Sequence, residues 1–227
     1  MYELMYLLGA IAAILTVAFR FKTYSAPPFR AISAETIVVV IAVCSGKVLF
    51  GIEELIYGRD FSLSGIRIFG LIFSVPIMCF ILYKFVKINW INLLSLCTPG
   101  LAISSVFARI GCHFAGCCGG PPITIGGVTV EISEQLVECM FDFVIFVILL
   151  ALERRSKSLL YPVYLFLYGI VRFFLDFFRD SPSVLFGLTV AQLISVCSII
   201  GALIWLICAI KQKDAIDNRE QGIKKGE

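Results

Sequence analysis

The stretch INLLSLCTPGLAISSVFARIG, residues 91–111, decides the fold, and CHFAGCCGGPP, residues 112–122, follows it directly. The first is an apolar run with a single charge, Arg109, near its end. Its length is what a helix needs to cross a hydrocarbon core about 30 Å thick, which takes about 20 residues. The second holds the only histidine of the chain, His113, and three of its nine cysteines. A segment of that kind is read as the place where a membrane helix leaves the bilayer.

Six further apolar segments can be cut from the chain, at about 2–19, 35–57, 67–86, 135–152, 158–178 and 184–210. Of the 227 residues, 59% are hydrophobic and 15% charged, with a mean hydropathy of +0.96. A soluble domain carries roughly a quarter charged residues. The composition therefore predicts an all-α, polytopic membrane protein of seven transmembrane helices. It forms one membrane domain over residues 1–210, with a charged tail over 211–227. The first apolar segment lacks a basic leader and a small-residue cleavage site, so it is read as a retained helix. No internal repeat speaks for an inverted-repeat transporter. The net charge of +3 is too small to imply a nucleic-acid partner.

Lysine and arginine set the expected topology, because cytoplasmic loops carry the excess of both. Arg20, Lys22 and Arg30 follow the first span, Lys84 and Lys87 end the third, Arg154, Arg155 and Lys157 follow the fifth, and the tail is rich in lysine. All fall on one side. The amino terminus is expected outside and the carboxyl terminus in the cytoplasm. On that topology Glu53, Glu54, Arg67, Arg109, Glu138, Arg172 and Asp176 share the outer level of the membrane.

Charged residues inside a membrane are costly and mark functional cavities. Arg172 and Asp176, four apart on a helix, have the alternative of pairing with each other. Arg179 reads as an interfacial anchor, and Glu53 and Glu54 have the alternative of standing solvated in a loop. Arg109 and Arg172 together, without enough buried acids to neutralise them, point to an anionic ligand, and the planar guanidinium suits phosphate.

Cys44, Cys79, Cys97, Cys139, Cys197 and Cys208 lie singly in apolar runs, where cysteine acts as a small hydrophobe. Cys112, Cys117 and Cys118 cluster. A metal knuckle and a redox pair are open readings of that cluster, but the preferred one is the rim of a lipid head-group pocket. Its glycines let the chain turn back where irregular backbone lines a polar cavity.

These blocks resemble those of the bacterial prolipoprotein diacylglyceryl transferases. ARIGCHFAGCCGG (108–120) is similar to that family's GRIGNFINGELWG signature, and closer still to the RIGCFxxGCCYG of shorter members. FLYGIVRFFLDFFRD (166–180) resembles YGxxRFxxEFFRE, and FGLTVAQLIS (186–195) resembles GLTMGQxLS. EQLVECMFDFVIFVILL (134–150), YELMYLLGAIAA (2–13) and GKVLFGI (46–52) match further blocks in the same order. The resemblance implies a seven-span enzyme of the bacterial plasma membrane that moves the diacylglyceryl group of phosphatidylglycerol to the lipobox cysteine thiol of a prolipoprotein signal peptide. No cofactor is implied.

By the same resemblance Arg109 and Arg172 handle the lipid phosphate, and Asp176 is the acid one turn after the second arginine. Tyr2 and Gly120 match functional positions of the family, and Arg67, Cys112, Cys117, Gln135, Glu138 and Tyr168 are expected beside them in substrate binding. The chain departs from the pattern at four places, one of them Gly119, where the family has an aromatic before the last glycine. Cys112 replaces the signature asparagine, Cys117 the glutamate, and Ile68 stands where the family has a histidine. A related lipid-modifying enzyme with another acceptor, a catalytically silent lipid-binding protein and a thiol-redox protein are the alternative readings.

Overall fold

The computed structural model describes residues 2–116, 123–125, 128–130, 133–179 and 183–225, and side chains within 3–116, 133–179 and 183–211. Among the described residues, seven helices are long and apolar enough to cross a membrane. They are built on α1 (Tyr2–Arg20), α2 (Pro28–Ile56), α3 (Ile68–Val86), α4 (Trp90–Ala115), α5 (Glu134–Glu153), α6 (Leu160–Leu175) and α7 (Val190–Lys225), the sixth span reaching Lys157–Phe178 with the short 3₁₀ turns at both ends of α6. A small antiparallel hairpin, β1 (Ile123–Ile125) and β2 (Val128–Val130), lies between α4 and α5 and was not foreseen from the sequence.

Two boundaries also differ from the sequence reading. α2 begins at Pro28, seven residues earlier than expected, with proline in the first turn where its missing N–H costs nothing. α7 begins at Val190, because Leu185 and Leu188 close a tight bridge around Gly187 first. The segment 108–122 does not turn at Gly111. α4 continues to Ala115 and is capped by Gly116 in the left-handed conformation, φ 64°. Residues 117–122, with Cys117, Cys118 and Gly120, lie outside the described residues.

α4 is the axis of the bundle. It packs against α1, α3, α5 and α6, and 67% of its apolar window is buried, against 17% for α7. The outer helices turn leucine, isoleucine and phenylalanine outward, such as Leu4, Leu7, Ile11 and Leu15 on α1 and Ile77, Phe80 and Ile81 on α3. Such faces suit lipid. Between spans in hydrocarbon, apolar burial gives little net drive, so close backbone approach and interhelical hydrogen bonds must hold the helices together.

Both devices are present. A Cβ at Gly70 of α3 would lie 2.6 Å from the Ser45 carbonyl oxygen of α2. A Cβ at Gly9 of α1 would lie 3.1 Å from the Ser104 carbonyl oxygen of α4. The hydrogen bonds use two prolines. A proline inside a helix has no N–H for the carbonyl four residues earlier. Pro76 so releases the Ile72 carbonyl, and the Tyr161 hydroxyl of α6 donates to it at 2.8 Å. Pro99 releases the Ser95 carbonyl. Arg20, at the end of α1, donates to it at 3.2 Å and to the Leu96 carbonyl at 2.8 Å. The same guanidinium pairs with Glu153 at the end of α5 at 2.5 Å. Each helix break is thus a joint between spans.

Candidate active site

The end of the bundle away from Arg20 holds a second, larger charged cluster. α5 presents Glu134, Glu138 and Asp142 at four-residue steps, so all three lie on one face. α4 runs antiparallel beside it and sets Ser105 and Arg109, again four apart, against that face. The Ser105 hydroxyl donates to Asp142 Oδ2 at 2.6 Å. Arg109 Nη2 lies 2.6 Å from Glu138 Oε1. α6 brings Arg172 Nη1 to within 3.4 Å of Glu138 Oε2, and Arg179 follows with Nη2 at 3.6 Å from the same oxygen. Glu138 is fully buried, so one carboxylate stands at the meeting point of three guanidinium groups.

The neighbours are held in turn. Arg172 Nη2 is 3.1 Å from Asp176 Oδ1, and the Thr189 hydroxyl before α7 donates to Asp176 Oδ2. Arg179 Nε also pairs with Glu134 at 3.3 Å. On the far wall Arg67, the residue before α3, pairs with Glu53 near the end of α2. Tyr168 donates its hydroxyl to Glu138 Oε1 at 3.3 Å.

These pairings correct three sequence-based expectations. Arg109 and Arg172 do not lack buried acids: Glu134, Glu138, Asp142 and Asp176 stand around them, all at most 5% exposed. Glu134 and Asp142 were overlooked because their alignment depends on the register of α5 against α4. Arg179 is no interfacial anchor. Its side chain is 8% exposed, held by Glu134 and Glu138. Glu53 is a buried helix residue rather than a solvated loop acid, because Arg67 folds back onto it.

Beside the cluster lies a cavity of about 530 Å³. Arg109, Cys112, Arg172, Asp176, Arg179 and Thr189 line one side of its polar end, with Glu53, Tyr57 and Arg67 opposite. Burial, and then the charge of Glu53, pushes the Tyr57 phenol above its ordinary range, which leaves it a neutral donor. The rest of the wall is mostly aliphatic and runs deep between α1, α2, α3 and α4.

Of the expected site residues, Arg67, Arg109, Cys112, Arg172 and Asp176 line this cavity. Glu138 and Tyr168 stand behind the arginines and fix them in place. Gln135 accepts a hydrogen bond from Ser133 at 2.9 Å, and Ser133 also meets His113 Nδ1 at 2.8 Å. The side chain of Tyr2 lies outside the described residues, as do Cys117 and Gly120. Glu134, Asp142 and Thr189 escaped the sequence reading. The four-residue spacing of Glu134, Glu138 and Asp142 was the available signal for the first two.

Seven spans closed around a buried arginine–carboxylate cluster, with a deep apolar cavity beside it, define an integral membrane protein with an intramembrane charged site. Comparison with known proteins makes this specific. The chain belongs to the prolipoprotein diacylglyceryl transferase family, whose model matches residues 1–208, and is an enzyme of that transferase class. It is 30% identical over 227 residues to phosphatidylglycerol–prolipoprotein diacylglyceryl transferase 2 of Clostridium perfringens, covering 89% of this chain and 88% of that protein. The corresponding transferase of Clostridium tetani is 27% identical over 204 residues, covering 80% and 81%. That of Dehalococcoides mccartyi strain CBDB1 is 26% identical over 245 residues, covering 95% and 91%.

Proposed function

We propose that this enzyme moves the diacylglyceryl group of phosphatidylglycerol onto the lipobox cysteine thiol of a prolipoprotein, at the outer face of a bacterial plasma membrane. The observation that carries the reading is the cavity, which has guanidinium groups at one end and hydrocarbon walls along the rest. A phospholipid has the same division. Each guanidinium has five N–H donors. Arg109 places one nitrogen close to Glu138, while the contacts from Arg172 and Arg179 to that carboxylate are longer, at 3.4 and 3.6 Å. Donors therefore remain for phosphate oxygens.

In the reaction the thiol sulfur attacks the carbon of the diacylglyceryl group that is bonded to the phosphate oxygen. A carbon–sulfur bond forms and the carbon–oxygen bond breaks, its electron pair leaving on glycerol phosphate. The thiol proton passes to a base, and Glu53 and Asp176 are carboxylates at the polar end of the same cavity. Fixed guanidinium donors in a water-poor site stabilise the charge that grows on the leaving phosphate. Arg67, Tyr57 and Cys112 complete the head-group wall. Glu138 and Tyr168 act through the arginines as positioning residues. Basic loops at one end of the bundle support a cytoplasmic carboxyl terminus, with residues 211–227 as a tail beyond the membrane domain and the amino terminus outside.

The test is purified protein with phosphatidylglycerol and a lipobox peptide, read as glycerol phosphate released and peptide mass gained. Arg109→Ala removes a charge-assisted contact of about 1.5–3 kcal/mol, so turnover should fall by about 10- to 160-fold. Arg172→Lys keeps the charge but loses the planar fork, and should also fall. Arg155, exposed at the opposite end, is the control as Arg155→Ala. If both variants match that control, the phosphate role is refuted. Glycerol phosphate without a heavier peptide would assign a different acceptor.

A further inference from the structure

The cavity continues well past the arginines. Below them its wall is formed by Val38, Ala42, Val75 and Leu101, and at the bottom it meets Ala13, Glu35 and Cys97. An acid at that depth is unexpected. Glu35 is 2% exposed, and its Oε2 has no hydrogen-bond partner among the described residues. The position opposite is glycine, which leaves room for the carboxyl: a Cβ at Gly100 would lie 2.7 Å from Glu35 Oε1 and 3.2 Å from Thr16 Oγ1.

We propose that Glu35 is the floor of an acyl-chain channel and sets the length of lipid chain the enzyme accepts. This rests on the reading of the cavity as the phospholipid site. The dimensions agree with it. The twelve-residue step along α4 from Cys97 at the floor to Arg109 at the head-group end is about 18 Å, at about 1.5 Å per residue. One leaflet of a hydrocarbon core about 30 Å thick is about 15 Å deep, so an ordinary acyl chain hung from the arginines ends just above Glu35.

A longer chain meets a polar group. A methyl end pressed on the carboxyl gives it no hydrogen bond and shuts out any water that would. Aliphatic walls tolerate sliding of the chain, whereas a carboxyl held between α1, α2 and α4 does not yield. The channel is therefore bounded by chemistry as well as by volume.

Two substitutions move the floor in opposite directions. Glu35→Ala removes the carboxyl and opens room for about three methylenes. Gly100→Ala places a methyl against Oε1 and pushes the carboxyl up into the channel. Glu35→Gln keeps the shape and the polarity. Each protein is given a lipobox peptide and an equimolar mixture of phosphatidylglycerols with graded saturated chains, and the modified peptides are weighed. The preferred length should rise in Glu35→Ala, fall in Gly100→Ala and hold in Glu35→Gln. A chain one methylene too long for the wild type should gain at least about tenfold in Glu35→Ala. If Glu35→Ala does not fold, Gly100→Ala decides alone. Wild-type length profiles in the folded variants overturn the floor. A wild-type protein that modifies no peptide at any chain length overturns the lipid-transfer reading itself.

Discussion

Replacing Glu138 by glutamine should destabilise the protein more than its size suggests. The side chain keeps its shape, so packing is conserved, but three guanidinium groups within 3.6 Å lose their shared counter-charge. Breaking one partner of a buried ion pair costs about 3–5 kcal/mol, because the remaining charge is left uncompensated. Glu138 is 0% exposed and the Arg109 side chain 10%, so solvent screens little of this. Arg109→Gln alone should cost less, because Arg172 and Arg179 still neutralise the carboxylate. The double substitution removes both members of the closest pair. It should cost less than the sum of the singles by about 1–3 kcal/mol. Unfolding in mixed micelles, driven by added sodium dodecyl sulfate, gives all four free energies. Trp90 and Trp205, with rings 5.9 Å apart, lie near the other end of the bundle and report global unfolding by fluorescence. Additivity to within about 0.5 kcal/mol would refute the claim that Glu138 holds the cluster together.

Two further outcomes test the fold. Tyr161→Phe leaves the Ile72 carbonyl without its donor and should cost about 1–3 kcal/mol; adding Pro76→Ala, which restores a backbone N–H, should recover most of it in the same unfolding assay. A reporter enzyme fused after Lys211 should be active only in its cytoplasmic form, and activity of an exterior reporter there would invert the topology.

The seven spans were legible because a helix that crosses hydrocarbon must be apolar for about twenty residues, and that length is visible in a single sequence. Arg109, Arg172 and Asp176 were legible for the converse reason: charge inside such a run is expensive. Their partners were harder to see. Asp142 stands in an apolar run like any solitary acid, and only the antiparallel register of α4 and α5 sets it against Ser105. Glu35 fell at the expected boundary of the second span, where an acid is unremarkable, until α2 proved to begin at Pro28 and carried it inside. The roles of Pro76 and Pro99 also depend on neighbours. A proline signals a free carbonyl, but nothing local says which side chain will reach it.

The burial of α4 bears on how the chain enters the membrane. Helices leave the ribosome in order, so Arg109 emerges before Glu138, which lies on the next span. Until α5 arrives, α4 carries a cation toward hydrocarbon with no counter-charge from its own helix. Its packing surface for α1 is already present, with Ala13 facing Gly100. The other end is secured in a similar sequence. Arg20 waits for the Ser95 and Leu96 carbonyls of α4 and then for Glu153, the last residue of α5. Arg109 and Arg20 thus both meet their carboxylates only when α5 is in place, and α6 then brings Arg172 and Arg179 to the acids that α5 carries.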